Sequence, residues 1–242
     1  MENLEKLEEQ TKRAEKEPHY NFSEIAEMEP AMISLIKKLK DKIESGEYDT
    51  LISDDVGGRI PTLILREVML EKGGYDNENK LNTFFLAGGR GDWQPDTKES
   101  EEFISRRIIP SMKKKALLIT EYIDSGDSVA KFIKLFEKAG LKNFDVAAVV
   151  ISQPEYAYKR QRIIFPSHDL YAGEKGSVPS LYRVRGWTGG VHKTVGGGKL
   201  LRSKNEWYEY RDKRLRQEAQ KAVNKTREDA HTMAERVLEK VW

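Results

Sequence analysis

The chain contains no cysteine in 242 residues. Disulfides and thiolate metal sites are therefore excluded. The composition fits a reducing compartment, so a cytoplasmic location is expected. Long hydrophobic runs are also missing: none approaches the ~18 apolar residues of a membrane-spanning helix, and no membrane role is expected. The opening MENLEKLEEQTKRAEKE is charged throughout and has no apolar centre, unlike a secretory signal. Finally, the chain lacks a strong charge of either sign. It has 42 Lys and Arg against 40 Asp and Glu, a formal +2. Charge this dense and this balanced describes solvated helix faces, so nucleic acid is not an expected partner.

What is present is alternation. Residues 1–17 read as a polar helix and 18–30 as irregular. Over 31–45, Ile33, Ile36, Leu39 and Ile43 recur at helical spacing, and Gly46 ends the pattern. A strand is expected at 48–54, a Gly-rich turn at 55–59, and a helix at 60–72 with Pro61 in its first turn, where proline removes no hydrogen bond. Another strand is expected at 81–87. A long polar connection follows over 88–112, with a short helix expected inside it at 102–109. The apolar run Ala116–Ile119 reads as a buried strand, and a polar turn and a helix ending at Gly140 come next. Residues 143–152 have the composition of a strand buried on both faces. Strands alternating with helices in this way argue an α/β fold with a parallel sheet covered on both faces.

The rest is less regular. Residues 153–201 read as an irregular cap with short strands at 162–165 and 181–184, and Gly196-Gly197-Gly198 reads as a linker. A single helix is expected over 203–242. Its apolar seam runs through Leu215, Ala219, Ala222, Val223, Thr226, Ala230, Met233, Val237 and Val241. The expected units are thus helices at 1–47, an α/β core at 48–152, a cap at 153–201 and a long helix at 202–242. The seam suits intramolecular packing or a homodimer, formed through this helix or through the core.

Chemistry concentrates in the stretch TEYIDSGDS, residues 120–128. It lies between a strand and a helix, where parallel sheets bind ligands. Helix-start N–H groups suit a phosphate. Glu121 and Asp124 suit hydroxyl groups or a metal, because a carboxylate cannot hold an anion. A ligand with both a phosphate and a diol would use both halves. Asp124 and Ser125 have a plainer reading too, as caps of the helix that follows.

This stretch resembles the ribose-phosphate loop of type I phosphoribosyltransferases, which has an apolar strand, two acids, two apolar residues, then an acid, Ser or Thr, Gly, any residue, and Ser or Thr. Glu121 matches the second of the paired acids, and Thr120 stands where the family has the first. Tyr122 and Ile123 fill the next two places. Asp124, Ser125, Gly126 and Ser128 match the rest, with Asp127 at the free position. Asp55, Gly57, Gly58 and Arg59 resemble the family's pyrophosphate-binding turn, one strand–helix unit upstream. The connection at 88–112 has the place of its closing loop. The cap has the place of its variable hood.

The resemblance implies a fold and an activity. The fold is a phosphoribosyltransferase-like α/β core with a hood. The activity is transfer of 5-phosphoribosyl from 5-phosphoribosyl-1-diphosphate (PRPP) to a nucleobase, with Mg²⁺ and release of pyrophosphate. Glu121, Asp124, Ser125, Gly126, Asp127 and Ser128 would bind PRPP, with Asp124 catalytic by exchanging a proton with the base. Asp at this place favours a purine-like acceptor. Asp55, Gly57, Gly58 and Arg59 would bind the pyrophosphate, and Arg90, Arg106 and Arg107 would bring positive charge on the closing loop. Thr120 supports an alternative, a regulatory protein of the same fold that binds PRPP or a nucleotide without turnover.

Overall fold

The computed structural model describes residues 19–54, 57–76, 78–86, 97–152, 168–175 and 213–242. Its centre is a five-stranded, wholly parallel sheet in the order β2-β1-β3-β4-β5. The strands are β1 (Tyr48–Asp54), β2 (Asn82–Leu86), β3 (Lys115–Ile123), β4 (Phe144–Ile151) and β5 (Leu170–Lys175). The helices are α1 (Ser23–Ala26), α2 (Glu29–Glu44), α3 (Arg59–Lys72), α4 (Thr97–Phe103), α5 (Asp127–Ala139) and α6 (Lys213–Val241). The expected α/β class with helices on both faces is what the chain adopts.

Two apolar layers sandwich the sheet. One joins Leu51, Leu117, Ile119 and Val149 to α1, α2, α3 and α6. The other joins Ile52, Leu118, Val146 and Ala148 to α5 and the segment after β2. β4 is buried at every position, which explains its unbroken apolar sequence. In α5, Val129, Phe132, Ile133, Leu135 and Phe136 form the buried stripe. Each such side chain contributes roughly 1.5–3 kcal/mol of transfer free energy.

Several boundaries differ from the sequence reading. Helix α2 begins at Glu29, because Pro30 is accommodated in its first turn. A short helix, α1, lies in the stretch read as irregular. β3 does not stop at Ile119. Thr120, Tyr122 and Ile123 continue pairing with Ala148, Val150 and Ile151, as β-branched and aromatic residues favour. The helix expected at 102–109 starts earlier, as α4. It continues as a wide π-type turn at Ile104–Ile108 and a 3₁₀ turn at Ile109–Ser111. The helix expected over 1–17, the strands at 162–165 and 181–184 and the linker glycines lie outside the described residues.

β5 was not anticipated, and it falls within the stretch read as the cap. It pairs in parallel with β4 from Val146↔Leu170 to Ile151↔Lys175. Gly173 lets α2 cross it closely. A Cβ there would stand 2.2 Å from the Ala31 carbonyl oxygen and 2.4 Å from that of Val149. Ser34 Oγ donates to the Gly173 carbonyl at 2.7 Å and seals the crossing. Gly173→Ala is expected to cost about 3 kcal/mol, since both obstructions are backbone and neither can rotate away. Thermal unfolding would show a drop of about 6–12 °C. An unchanged melting temperature would mean the α2–β5 contact is looser than described.

Helix α6 packs its second half on the chain itself. Ala230, Met233, Ala234 and Val237 are buried against α2 and α3. Asp229, also buried, accepts from the backbone N–H of Asn21 at 2.8 Å and of Phe22 at 2.9 Å, at the start of α1. Lys40 Nζ donates to the Val241 carbonyl at 3.1 Å, and Trp242 Nε1 to Glu44 at 2.6 Å. The seam from Thr226 onward is therefore occupied within one chain. A dimer formed through that part of the helix would have to displace α1–α3.

Candidate functional site

The order β2-β1-β3-β4-β5 contains one reversal. From β1 the chain moves outward to β2, then crosses back over β1 to β3 and proceeds the other way. Ligands of open parallel sheets bind at such a switch point, outside the carboxyl ends of the strands. Here it falls between β1 and β3, which pair as far as Ser53↔Ile119. Helix α3 leaves β1 towards one face and α5 leaves β3 towards the other. Of the two turns singled out in the sequence, the described residues 57–59 of the first and 124–128 of the second both open into helix starts at the carboxyl ends of these adjacent strands.

The second turn is built by Gly126. Its φ of 80° and ψ of 2° are left-handed, a conformation that favours glycine. No side chain caps α5 from this position. Ser125 Oγ donates to Asp127 Oδ2 at 2.8 Å and accepts from the Asp127 N–H at 3.3 Å. Asp124, Ser125, Asp127 and Ser128 are exposed. Asp124 Oδ1 accepts from Ser152 Oγ at 2.5 Å, and the Ser152 N–H donates to the Ile123 carbonyl at 3.0 Å. Asp124 is thereby held by the end of the neighbouring strand. The sequence reading missed Ser152, although its place one residue past a strand at the same edge was the available signal.

Glu121 is not in the turn. It lies within β3 and is 3% exposed, whereas Thr120 beside it is half-buried.

At the first turn, Gly57 and Gly58 are buried and Gly58 precedes α3. Gly58 has ordinary right-handed angles, φ −82° and ψ −9°. What glycine supplies here is access to the backbone, not an unusual conformation. Arg59 is the first residue of α3, and its guanidinium lies 4.4 Å from the Phe85 ring centroid, on β2. Burial, and secondarily the Arg227 guanidinium on α6, lower its pKa to about 10. It stays charged at neutral pH. The neighbour Phe85 was not anticipated from the sequence.

The loop arginines fare differently. Arg106 and Arg107 are exposed on the turn after α4. That segment is fastened by Ile104 and Ile108 to the α5 layer, and by an ion pair between Glu101 and Lys138. Ile109 lies against Gly140, just past the end of α5, and the Ser111 carbonyl accepts from Asn82 at the start of β2. The 13 residues of α5 span roughly 20 Å. Arg106 and Arg107 therefore sit towards the amino edge of the sheet, not beside the switch point, because apolar packing decides the path of this segment. Asp55 and Arg90 lie outside the described residues.

No family model matches the sequence, and no curated protein matches it. Among solved structures, the chain is similar to the crystal structure of purine phosphoribosyltransferase from Pyrococcus horikoshii Ot3. The identity is 16% over 62% of this chain and 85% of that chain, with a TM-score of 0.35.

Proposed function

We propose that this protein is a phosphoribosyltransferase that transfers 5-phosphoribosyl from PRPP to a nucleobase, a purine-like one being favoured, and releases pyrophosphate. The observation that carries this reading is the pairing of a Ser-Gly-Asp-Ser turn and a Gly-Gly-Arg turn across the β1/β3 switch point. One turn suits the 5-phosphate and the other the diphosphate. In this reading Ser125–Ser128 hold the 5-phosphate through helix-start N–H groups and hydroxyls. Glu121 and Asp124 serve the ribose, and Asp124 exchanges a proton with the base. Gly57 and Gly58 admit the diphosphate to the backbone, and Arg59 meets its charge. Leaving-group neutralisation and positioning are then the main sources of rate.

Magnesium fits this scheme as an ion carried by the diphosphate. Among the described residues no group of three or more His, Asp or Glu is placed to hold a metal. Mg²⁺ commonly keeps several waters and takes one or two carboxylates plus substrate phosphates. Asp124 is the exposed carboxylate nearest that role.

Thr120 favours a second reading, in which the site binds PRPP or a nucleotide without turnover. One assay separates the two. With PRPP, Mg²⁺ and a panel of purine and pyrimidine bases, pyrophosphate release is expected with at least one purine. Binding of PRPP without release for any base would leave the binding protein, and no binding at all would sink both.

A further inference from the structure

We propose that Ser152 is a positioning residue for Asp124, holding its carboxyl group in place both before and after it takes a proton from the base; this rests on the function proposed above. Asp124 is exposed, and an exposed carboxylate ordinarily samples several rotamers. Here Ser152 Oγ donates to Asp124 Oδ1 at 2.5 Å. The bond joins the turn after β3 to the first residue beyond β4, 28 positions along the chain. It directs Asp124 along the edge of the sheet and not onto α5. Gly126 leaves that helix without a side-chain cap, and Ser125 is engaged with Asp127. The plainer reading of Asp124 as a helix cap is therefore not what the chain adopts.

Ser152 is itself a fixed point. Its N–H donates to the Ile123 carbonyl at 3.0 Å. The preceding Ile151 is fully buried and pairs with Ile123 on one side and Lys175 on the other. A side chain anchored at the end of an interior strand holds a reacting group more precisely than one on a free loop. In the proposed reaction the acceptor nitrogen bonds to C1 of the ribose as the C1–O bond breaks. The diphosphate leaves with that electron pair. The proton of the acceptor nitrogen passes to Asp124, which later releases it to solvent. A hydroxyl suits this cycle, because it has one donor and two acceptor lone pairs on a bond that turns freely. Ser152 donates to the ionised carboxylate; once Asp124 carries the proton, the same oxygen can accept. A backbone N–H could do only the first.

The test is steady-state pyrophosphate release by the full chain with PRPP, Mg²⁺ and adenine, hypoxanthine or guanine, for Ser152→Ala, Ser152→Thr, Asp124→Asn and the double variant. Ser152→Ala is expected to lower kcat about 10–100-fold, the scale of a small misplacement of a reacting group, with KM for PRPP changed less than about twofold. Ser152→Thr keeps the hydroxyl and should restore kcat to within about threefold of the parent. In the Asp124→Asn background, removing the hydroxyl should change kcat by less than about twofold, since no proton acceptor remains to be positioned. Ser152 is only half-buried, and its variants should melt within about 2 °C of the parent. Unchanged kcat in Ser152→Ala would overturn the role of Ser152 and leave the proposed function standing. So would an equal further loss in the Asp124→Asn background, by showing that Ser152 acts independently of Asp124. A lowered melting temperature with weakened PRPP binding would also overturn it, by showing a structural role. A parent chain that binds PRPP but releases no pyrophosphate with any base would overturn the functional reading itself, and this role with it.

Discussion

Asp124→Asn should lower phosphoribosyl transfer by about 10²–10⁴-fold, the range for loss of a general acid or base, while PRPP affinity changes by no more than a few-fold. The substitution is nearly isosteric, and the asparagine oxygen can still accept from Ser152 Oγ, which now meets Asp124 at 2.5 Å. The turn should therefore keep its shape. What is lost is the negative charge and the ability to carry a proton to or from the base. Steady-state turnover with the preferred base, together with calorimetric PRPP binding, separates these contributions. Intact turnover would remove Asp124 from the chemistry, and a parallel loss of PRPP affinity would make it a binding residue alone.

Asp145→Ala should have the largest effect on stability, about 3–5 kcal/mol, seen as a melting temperature lowered by about 6–20 °C. Asp145 is fully buried near the start of β4. Its Oδ2 accepts from the Tyr48 hydroxyl at 2.7 Å and pairs with Lys115 Nζ at 2.7 Å. Its Oδ1 accepts from the Asp169 N–H at 3.0 Å. Burial, and then the bond to Asp145, push the Tyr48 phenol well above its ordinary pKa. One carboxylate thus ties together β1, β3, β4 and the entrance to β5. Alanine would strand the buried Tyr48 hydroxyl, remove the acceptor of the Asp169 N–H and leave Lys115 only its longer pair with Glu47 at 3.5 Å, so the cost exceeds that of one hydrogen bond. Asp145→Asn keeps acceptors for Tyr48 and Asp169 and should cost less. Because this network lies at the amino edge, turnover per folded molecule should be preserved. A melting temperature within 2 °C of the parent would contradict the network's role.

The layered architecture was legible because parallel strands buried on both faces must be apolar runs, and β4 is one without interruption. The turns were legible because Gly126 and Gly58 interrupt strand-to-helix transitions with small polar neighbours. β5 was not. Its sequence, LYAGEK, has little strand character of its own. Its conformation depends on pairing with β4 and on α2 crossing at Gly173, both of which are tertiary. The placement of Arg106 and Arg107 was illegible for a related reason. Position in a long connection suggested a loop near the site, but Ile104 and Ile108 commit that connection to the α5 layer. The strand β3 shows the limit most sharply: Glu121 belongs to the motif by sequence, yet it is buried within the strand.

Helix α6 also sets a timetable for synthesis. Every strand of the sheet leaves the ribosome before residues 213–241 do. Until then Ile64, Leu65 and Val68 of α3 and Leu35, Ile36 and Leu39 of α2 lack the neighbours that α6 brings to their shared layer. At typical elongation rates of about 5–20 residues per second, the nascent chain would carry that apolar face for seconds. Asp229, which fastens the start of α1, would then act late, closing a fold whose first and last described helices meet only once translation has passed them both.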